Sequence, residues 1–178
     1  MIEQRPGIVF VGRERELQEL IRGLDDAASG RGRLILLAGE PGIGKSRLAD
    51  ELATLARERG TRVLWGKCWD GAGAPAYWPW VQVLRAYLRS SDREQVRAQL
   101  GHGAGDIAQM LPEIQGIVPG LAPPPAIDPE SARFRLFDSA TAFLISAARS
   151  APLVLVIDDL HAADTASIRF LRFLAGQL

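Results

Sequence analysis

Apolar positions recur along the chain at helical spacing in some segments and as short continuous runs in others. The helical spacing i, i+3, i+4, i+7 predicts a first helix that contains Leu17, Leu20, Ile21 and Leu24. The run "RLILLA" at 33–38 predicts a buried strand. Helical spacing returns after Lys45 and continues to Gly60, a residue type that suits a helix end.

The second half of the chain repeats this alternation. We predict a strand at 61–69, a loop at 71–80 that leads into a helix, and two weaker helices near 92–100 and 105–111. Six of the eleven prolines lie in 111–130, which predicts an irregular loop. Asp128 followed by Pro129 is a typical helix start, "LVLVIDD" at 153–159 is typical of a buried strand, and a last helix is expected at 165–178.

Strands that alternate with helices are typical of an α/β fold. We therefore expect a parallel sheet with helices on both faces, although the sequence reveals only three strands.

Composition narrows the function classes. The 178 residues carry 21 basic and 21 acidic side chains, so the net charge is zero and does not indicate binding to nucleic acid or to an anionic membrane. The single cysteine, Cys68, excludes an internal disulfide and fits a reducing cytoplasm. The N-terminal residues show no apolar signal core, and no apolar stretch is long enough to span a membrane.

The segment "GEPGIGKS" separates the 33–38 run from the next helix and matches the phosphate-binding pattern G-x-x-x-x-G-K-[ST], known as Walker A. Glycines let the backbone turn tightly and aim N–H groups at phosphate oxygens. Lys45 is expected to reach the β- and γ-phosphates and to act in catalysis, and Ser46 to offer a hydroxyl to Mg²⁺. A glycine-rich turn without a ligand is the alternative. The predicted nucleotide contacts are Gly39, Glu40, Pro41, Gly42, Ile43, Gly44, Lys45, Ser46 and Arg47.

A second motif completes the predicted site. The apolar run 153–157 ends in Asp158 and Asp159, as a Walker B strand does. Asp158 would hold Mg²⁺, and Asp159 would polarise the attacking water as the catalytic acid–base group. The alternative is a solvated acidic turn after a strand.

Three segments in this order, "FVGRERELQEL", "GEPGIGKS" and "LVLVIDDLHAAD", resemble the signal-transduction ATPases with numerous domains, the STAND branch of AAA+-like P-loop NTPases. The chain is most similar to the ATPase module of large bacterial LuxR-type transcriptional regulators; similar modules accompany some adenylate cyclases and serine/threonine kinases. The resemblance implies a P-loop NTPase fold of five strands, of which 1–178 is the N-terminal part, ending before the sensor strand and the lid. Its units are expected at 1–30, 31–60 (Walker A), 61–150 (second strand and helical insertion) and 151–178 (Walker B).

The resemblance also implies roles for residues outside the two motifs. The consecutive residues Phe10, Val11, Gly12 and Arg13 would line the adenine side of the nucleotide site. The alternative is that Phe10 and Val11 pack in the core and that Arg13 forms an ion pair on the surface. Family members have tryptophan where this chain has Ala162. His161 and Asp164 are expected to relay the nucleotide state or, as we favour, to cap the final helix.

Together with the two motifs, the resemblance implies a cytoplasmic switch ATPase that binds ATP with Mg²⁺ and hydrolyses it slowly. The full-length protein is expected to hydrolyse ATP. Residues 1–178 by themselves are expected to bind ATP without hydrolysis or to be inactive. The expected partners are ATP and the remaining domains, with nucleotide-dependent self-association as a further hypothesis. The main alternative is a nucleotide-binding assembly scaffold with negligible turnover. A small-molecule phosphotransferase is a third class, but the sequence shows no acceptor pocket.

Overall fold

The computed structural model describes residues 13–71, 73–122 and 124–178. Helices precede, separate and follow two strands, in an α/β arrangement. In chain order the elements are α1 (Glu14–Ala28), α2 (Lys45–Glu58), β1 (Arg62–Lys67), α3 (Trp78–Arg89), α4 (Arg93–Leu100), α5 (Ala104–Ala108), α6 (Pro129–Ser150), β2 (Leu153–Asp158) and α7 (Thr165–Ala175). Short 3₁₀ turns lie at Gly101–Gly103, Pro112–Gly116 and Leu160–Ala162.

The two strands form a parallel ladder, as the sequence predicts. The register pairs Arg62 with Leu153 at one end and Lys67 with Asp158 at the other. The ladder continues one step further, because the N–H of Cys68 donates to the carbonyl of Asp158 at 3.0 Å. Helix α2 contacts both strands, and α3 contacts β1. The coverage of both sheet faces stays a prediction.

The predicted strand at 33–38 does not form within the part of the chain that the structure describes. Residues 31–40 belong to no helix or ladder, and their side chains are exposed, Leu36 to 65%. An extended segment becomes a strand only when a neighbour pairs with its N–H and carbonyl groups. The sequence predicts a buried strand at 153–157, but every residue of β2 is only half-buried. The reason is again a missing neighbour, since β1 is the one ladder partner of β2 among the described residues.

The main core lies between the helices of the insertion and the sheet. Trp80 of α3 packs against Phe170 of α7 with ring centroids 4.6 Å apart, and its indole N–H donates to the carbonyl of Ser167 at 3.2 Å. Tyr87 of α3 meets Phe143 of α6 edge to face at 5.4 Å. These contacts join α3, α6 and α7 into one unit that supports the ladder.

Aspartates cap the N-termini of α6 and α7. Asp128 accepts hydrogen bonds from the N–H groups of Glu130 and Ser131, as its position before Pro129 predicts. Asp164 accepts the N–H of Ser167 and so begins α7, which confirms the capping role favoured for it.

No helix in the described ranges is both long and apolar enough to cross a membrane.

Candidate nucleotide-binding site

The loop that precedes α2 has the backbone form that the glycine pattern predicts. Gly39, Gly42 and Gly44 have φ angles of 151°, 79° and 94°, a region that residues with a Cβ rarely adopt. Gly44 is the residue before α2, so the loop leads directly to the N–H groups of a helix end. Such an end attracts anions because its first N–H groups are unpaired within the helix and carry partial positive charge.

The Lys45 side chain closes this loop. Its Nζ donates to the carbonyl oxygens of Gly39 and Glu40 at 2.8 and 2.9 Å. The ammonium is therefore held against the first residues of the loop and adds a full positive charge to the helix end. This is the side of the molecule where an oligophosphate would find its counter-charge.

Ser46 and Asp158 lie side by side although 112 residues separate them in the chain. The Ser46 hydroxyl is 3.5 Å from Asp158 Oδ1, which also accepts the N–H of Asp159 at 2.9 Å. Two oxygens bound to one octahedral Mg²⁺ at about 2.1 Å would stand between about 3.0 and 4.2 Å apart. The hydroxyl and the carboxylate therefore fit Mg²⁺ in spacing and in chemistry.

Mg²⁺ commonly takes one or two protein oxygens and completes its shell with water and phosphate. The described residues contain no cluster of three or more His, Cys, Asp or Glu side chains suited to a metal. The Ser46–Asp158 pair is thus consistent with a metal that is held jointly by protein and nucleotide.

The Asp159 side chain contacts a different element, the end of β1. It has φ 54° and ψ 43°, a left-handed conformation that aspartate tolerates better than most residues. Its Oδ2 lies 3.1 Å from Nζ of Lys67, the last residue of β1. The two consecutive carboxylates therefore contact different elements, Asp158 the P-loop helix α2 and Asp159 the end of β1.

Two pKa values at this end of the sheet follow from these carboxylates. The hydrogen bond from Lys67 to Asp159, together with the charges of Asp159 and Asp158, raises the pKa of Lys67. Burial, and then the nearby charges of Asp164, Asp159 and Asp158, raise the pKa of the Cys68 thiol to about 11. The buried Cys68 thiol is therefore neutral at pH 7.

The other residues predicted to contact the nucleotide lie in or beside the loop that precedes α2, except Val11 and Arg13. Glu40, Pro41 and Ile43 are exposed, and Arg47 lies in α2 with its guanidinium 3.9 Å from Glu51. The exceptions belong to the predicted adenine side.

Val11, like Phe10 and Gly12, lies outside the described residues. Arg13 immediately precedes α1, where its carbonyl accepts the N–H of Leu17. The adenine-side role of these residues stays a prediction.

Lys67 and Gln82 belong to the site and were not predicted from the sequence. Gln82 of α3 donates to the carbonyl of Lys67 at 2.8 Å and accepts its N–H at 3.3 Å, which anchors the backbone of Lys67. The position of Lys67 in the sequence could have identified it, because the carboxyl ends of parallel strands meet at one edge of a sheet. A lysine at the end of one strand and an aspartate at the end of its neighbour are therefore candidates for a pair.

Comparison with known proteins agrees with this geometry. The model of the AAA ATPase domain family matches residues 9–178, so the chain belongs to that family. Membership indicates nucleotide binding, with ATP and usually Mg²⁺ as the ligands, and supports the P-loop NTPase class.

One relative is the "Uncharacterized protein R02095" of Rhizobium meliloti (strain 1021), which is 25% identical over 177 residues. The alignment covers 92% of this chain but 17% of the relative, so the chain spans about a sixth of the length of that protein. No solved structure matches the chain significantly.

Proposed function

We propose that residues 1–178 form the nucleotide-binding part of a switch ATPase, a regulatory module in which ATP binding favours one arrangement of a larger protein and slow hydrolysis resets it. The observation that carries this proposal is the proximity of Ser46 and Asp158, 3.5 Å apart, beside a glycine loop that Lys45 closes. Two segments that are far apart in the sequence, the loop with Lys45 and Ser46 and the end of β2 with Asp158, meet there, which supports a shared magnesium–nucleotide site.

In this proposal each side chain has one task. The loop N–H groups and Lys45 bind and orient the phosphates, and Ser46 and Asp158 hold Mg²⁺, which would neutralise phosphate charge. Asp159 accepts a proton from the attacking water while the water oxygen bonds to the γ-phosphorus. The bond to the bridging oxygen breaks, and its electron pair leaves with ADP.

The wider role follows the resemblance to STAND ATPases of LuxR-type regulators. We propose a bacterial signalling or transcriptional regulator in which 31–60 and 151–178 supply the two nucleotide motifs and other domains provide the output. The length of the relative supports a multidomain setting, because the matched segment is 17% of that protein.

One observation favours the second candidate, an assembly scaffold that binds nucleotide with negligible turnover. The carboxylate assigned to proton transfer is paired with Lys67 at the end of β1. A carboxylate that stays in this pair does not contact the attacking water, so binding and partner assembly would be the whole output.

A binding titration tests the shared part of both candidates. Lys45→Ala in the full-length protein removes charge-assisted contacts worth roughly 1.5–3 kcal/mol, so the Kd for a fluorescent ATP analogue should rise about ten- to a hundredfold. Arg97→Ala on α4 removes an exposed charge outside the site and is the matched control. Equal affinities for the wild type and Lys45→Ala would remove Lys45 from the site. Multiple-turnover phosphate release then separates the switch ATPase from the scaffold.

A further inference from the structure

The helical insertion contains an open cavity of about 320 Å³. The residues that line it lie in the 3₁₀ turn Gly101–Gly103, in α5, in the proline-containing loop that follows Pro112–Gly116, and in α6. None of them belongs to the candidate nucleotide-binding site. The volume lies at the lower end of the range of about 300–1,000 Å³ that small-molecule sites occupy.

An ion pair forms the polar end of this cavity. The Asp106 side chain is 7% exposed, and Nη2 of Arg135 donates to its Oδ1 at 2.8 Å and to its Oδ2 at 3.1 Å. The Ser139 hydroxyl also donates to Oδ2, at 3.1 Å. The Asp106 carboxylate is therefore satisfied within the protein, and its task is to hold the Arg135 guanidinium at the cavity.

Arg135 keeps hydrogen-bonding capacity that the protein does not use. A guanidinium carries several N–H donors, and only Nη2 is engaged here. Its Nε and Nη1 form no hydrogen bond with the part of the chain that the structure describes. The side chain is 39% exposed and lines the cavity. The polar end thus offers free donors to an oxygen of a ligand.

The loop side of the cavity is apolar. It is lined by Val118, Leu121, Pro124 and Pro125. Proline rings restrict the backbone, so this side loses little conformational freedom when a ligand contacts it. An apolar ligand body would remove the surface of these side chains from water, which favours binding.

We propose that the cavity binds an uncharged organic molecule, whose apolar body contacts the loop side and whose carbonyl-type oxygen accepts hydrogen bonds from Arg135. The absence of charge follows from the ion pair, which is neutral as a whole. A carboxylate on the ligand would approach Asp106, and an ammonium would approach Arg135. Either charge would lose hydration without gaining a net opposite charge in return. The inference does not depend on nucleotide chemistry, since the two sites share no residue.

Three fluorinated probes of the same size test the class of ligand in the full-length protein. They are para-fluorobenzamide, para-fluorobenzoate and para-fluorobenzylammonium, and their binding is measured by fluorine NMR line broadening. Probes of about ten non-hydrogen atoms bind weakly, so we expect a Kd on the order of a few millimolar for the benzamide. The benzoate and the benzylammonium should bind at least about fivefold more weakly.

A matched pair of variants locates the probe. Ala122 lines the cavity, whereas Ala126 lies in the same loop and does not; both side chains are exposed, so replacement of either leaves the core intact. Ala122→Trp should fill the mouth of the cavity and raise the Kd of the benzamide about tenfold or more. Ala126→Trp should leave the Kd within about a factor of two.

A change of charge at Asp106 tests the reason for the preference. Asp106→Asn keeps the shape of the side chain and an oxygen for Ser139, but it leaves the charge of Arg135 unbalanced. The benzoate should then bind more tightly than the benzamide, which reverses the order found for the wild type. A further Arg135→Met change in this background removes the donors, and both probes should lose affinity.

The outcomes decide for or against the cavity without reference to ATP hydrolysis. A wild type that does not bind the benzamide, or that prefers the benzoate, refutes the proposal. Equal affinities for Ala122→Trp and Ala126→Trp refute it as well, and so does an Asp106→Asn variant with the wild-type order. Displacement of the probe by an excess of ATP analogue with Mg²⁺ would place the probe in the nucleotide site and also refute the proposal. A protein that binds the benzamide but no ATP refutes the proposed function alone.

Discussion

Gly66→Ala should destabilise the protein by displacing β1 from α3. A Cβ at position 66 would stand 2.2 Å from the carbonyl oxygen of Pro79, about 1.2 Å short of ordinary contact, and 2.8 and 3.1 Å from two further backbone atoms of that residue. No rotamer change relieves a clash with backbone, so the strand or the helix must move. Overpacking of this kind costs typically 1–3 kcal/mol, and we expect about 3 kcal/mol here because all three contacts are rigid.

Urea and thermal unfolding measure this cost. For a domain of this size, about 3 kcal/mol corresponds to a lower Tm by about 6–12 °C. Gly116→Ala is the matched control, because a Cβ at that position meets nothing within 4 Å. The control should be neutral or slightly stabilising. A Gly66→Ala variant whose Tm equals that of Gly116→Ala would refute the close packing of β1 on α3.

Three further predictions concern the site, a helix cap and the exposed segment. Asp158→Asn should weaken Mg²⁺-dependent ATP-analogue binding, whereas Asp159→Asn should spare binding and slow single-turnover hydrolysis; the reverse pattern would exchange their roles. Asp164→Ala should cost about 1 kcal/mol in urea unfolding at pH 7. Burial alone would raise the pKa of the Asp164 carboxyl, but its hydrogen bonds outweigh burial and lower the pKa below the ordinary value of 3.8. The stability advantage of the wild type over Asp164→Ala should therefore be lost as the pH falls through this lowered pKa. An advantage that persists at still lower pH contradicts the capping role. Leu36→Lys should reduce self-association of the 1–178 polypeptide in sedimentation more than Ile127→Lys does, because Leu36 lies in an exposed apolar segment; equal effects would exclude the segment as the contact.

Local features were predictable because their causes lie within a few residues. The start of α6 follows from Asp128 and Pro129, since the cap bonds span three residues. The positive φ angles of Gly39, Gly42 and Gly44 follow equally from the glycine pattern. The parallel direction of β1 and β2 follows from the helices between them, because a parallel pair needs a crossover.

Features that depend on a distant partner were not predictable in the same way. The apolar run 33–38 has the composition of a strand, but strand formation also requires a pairing neighbour. The contact of Lys67 with Asp159 depends on the ladder register, and a shift of one residue would move the lysine to the other face of the sheet. The pattern of apolar and polar residues specifies neither the pairing neighbour of 33–38 nor the register of the ladder.

The ladder register also has a consequence for the order of folding. Each residue of β1 pairs with a residue 91 positions later, so the ladder closes a loop that contains the whole helical insertion. Closing such a loop costs about 4 kcal/mol in chain entropy beyond a constant, whereas the helices α3 to α6 gain contacts over shorter separations. The insertion should therefore collapse first and bring the strand ends together. The Ser46–Asp158 and Lys67–Asp159 contacts then form among the last in refolding, so nucleotide binding reports the completion of folding and not its start.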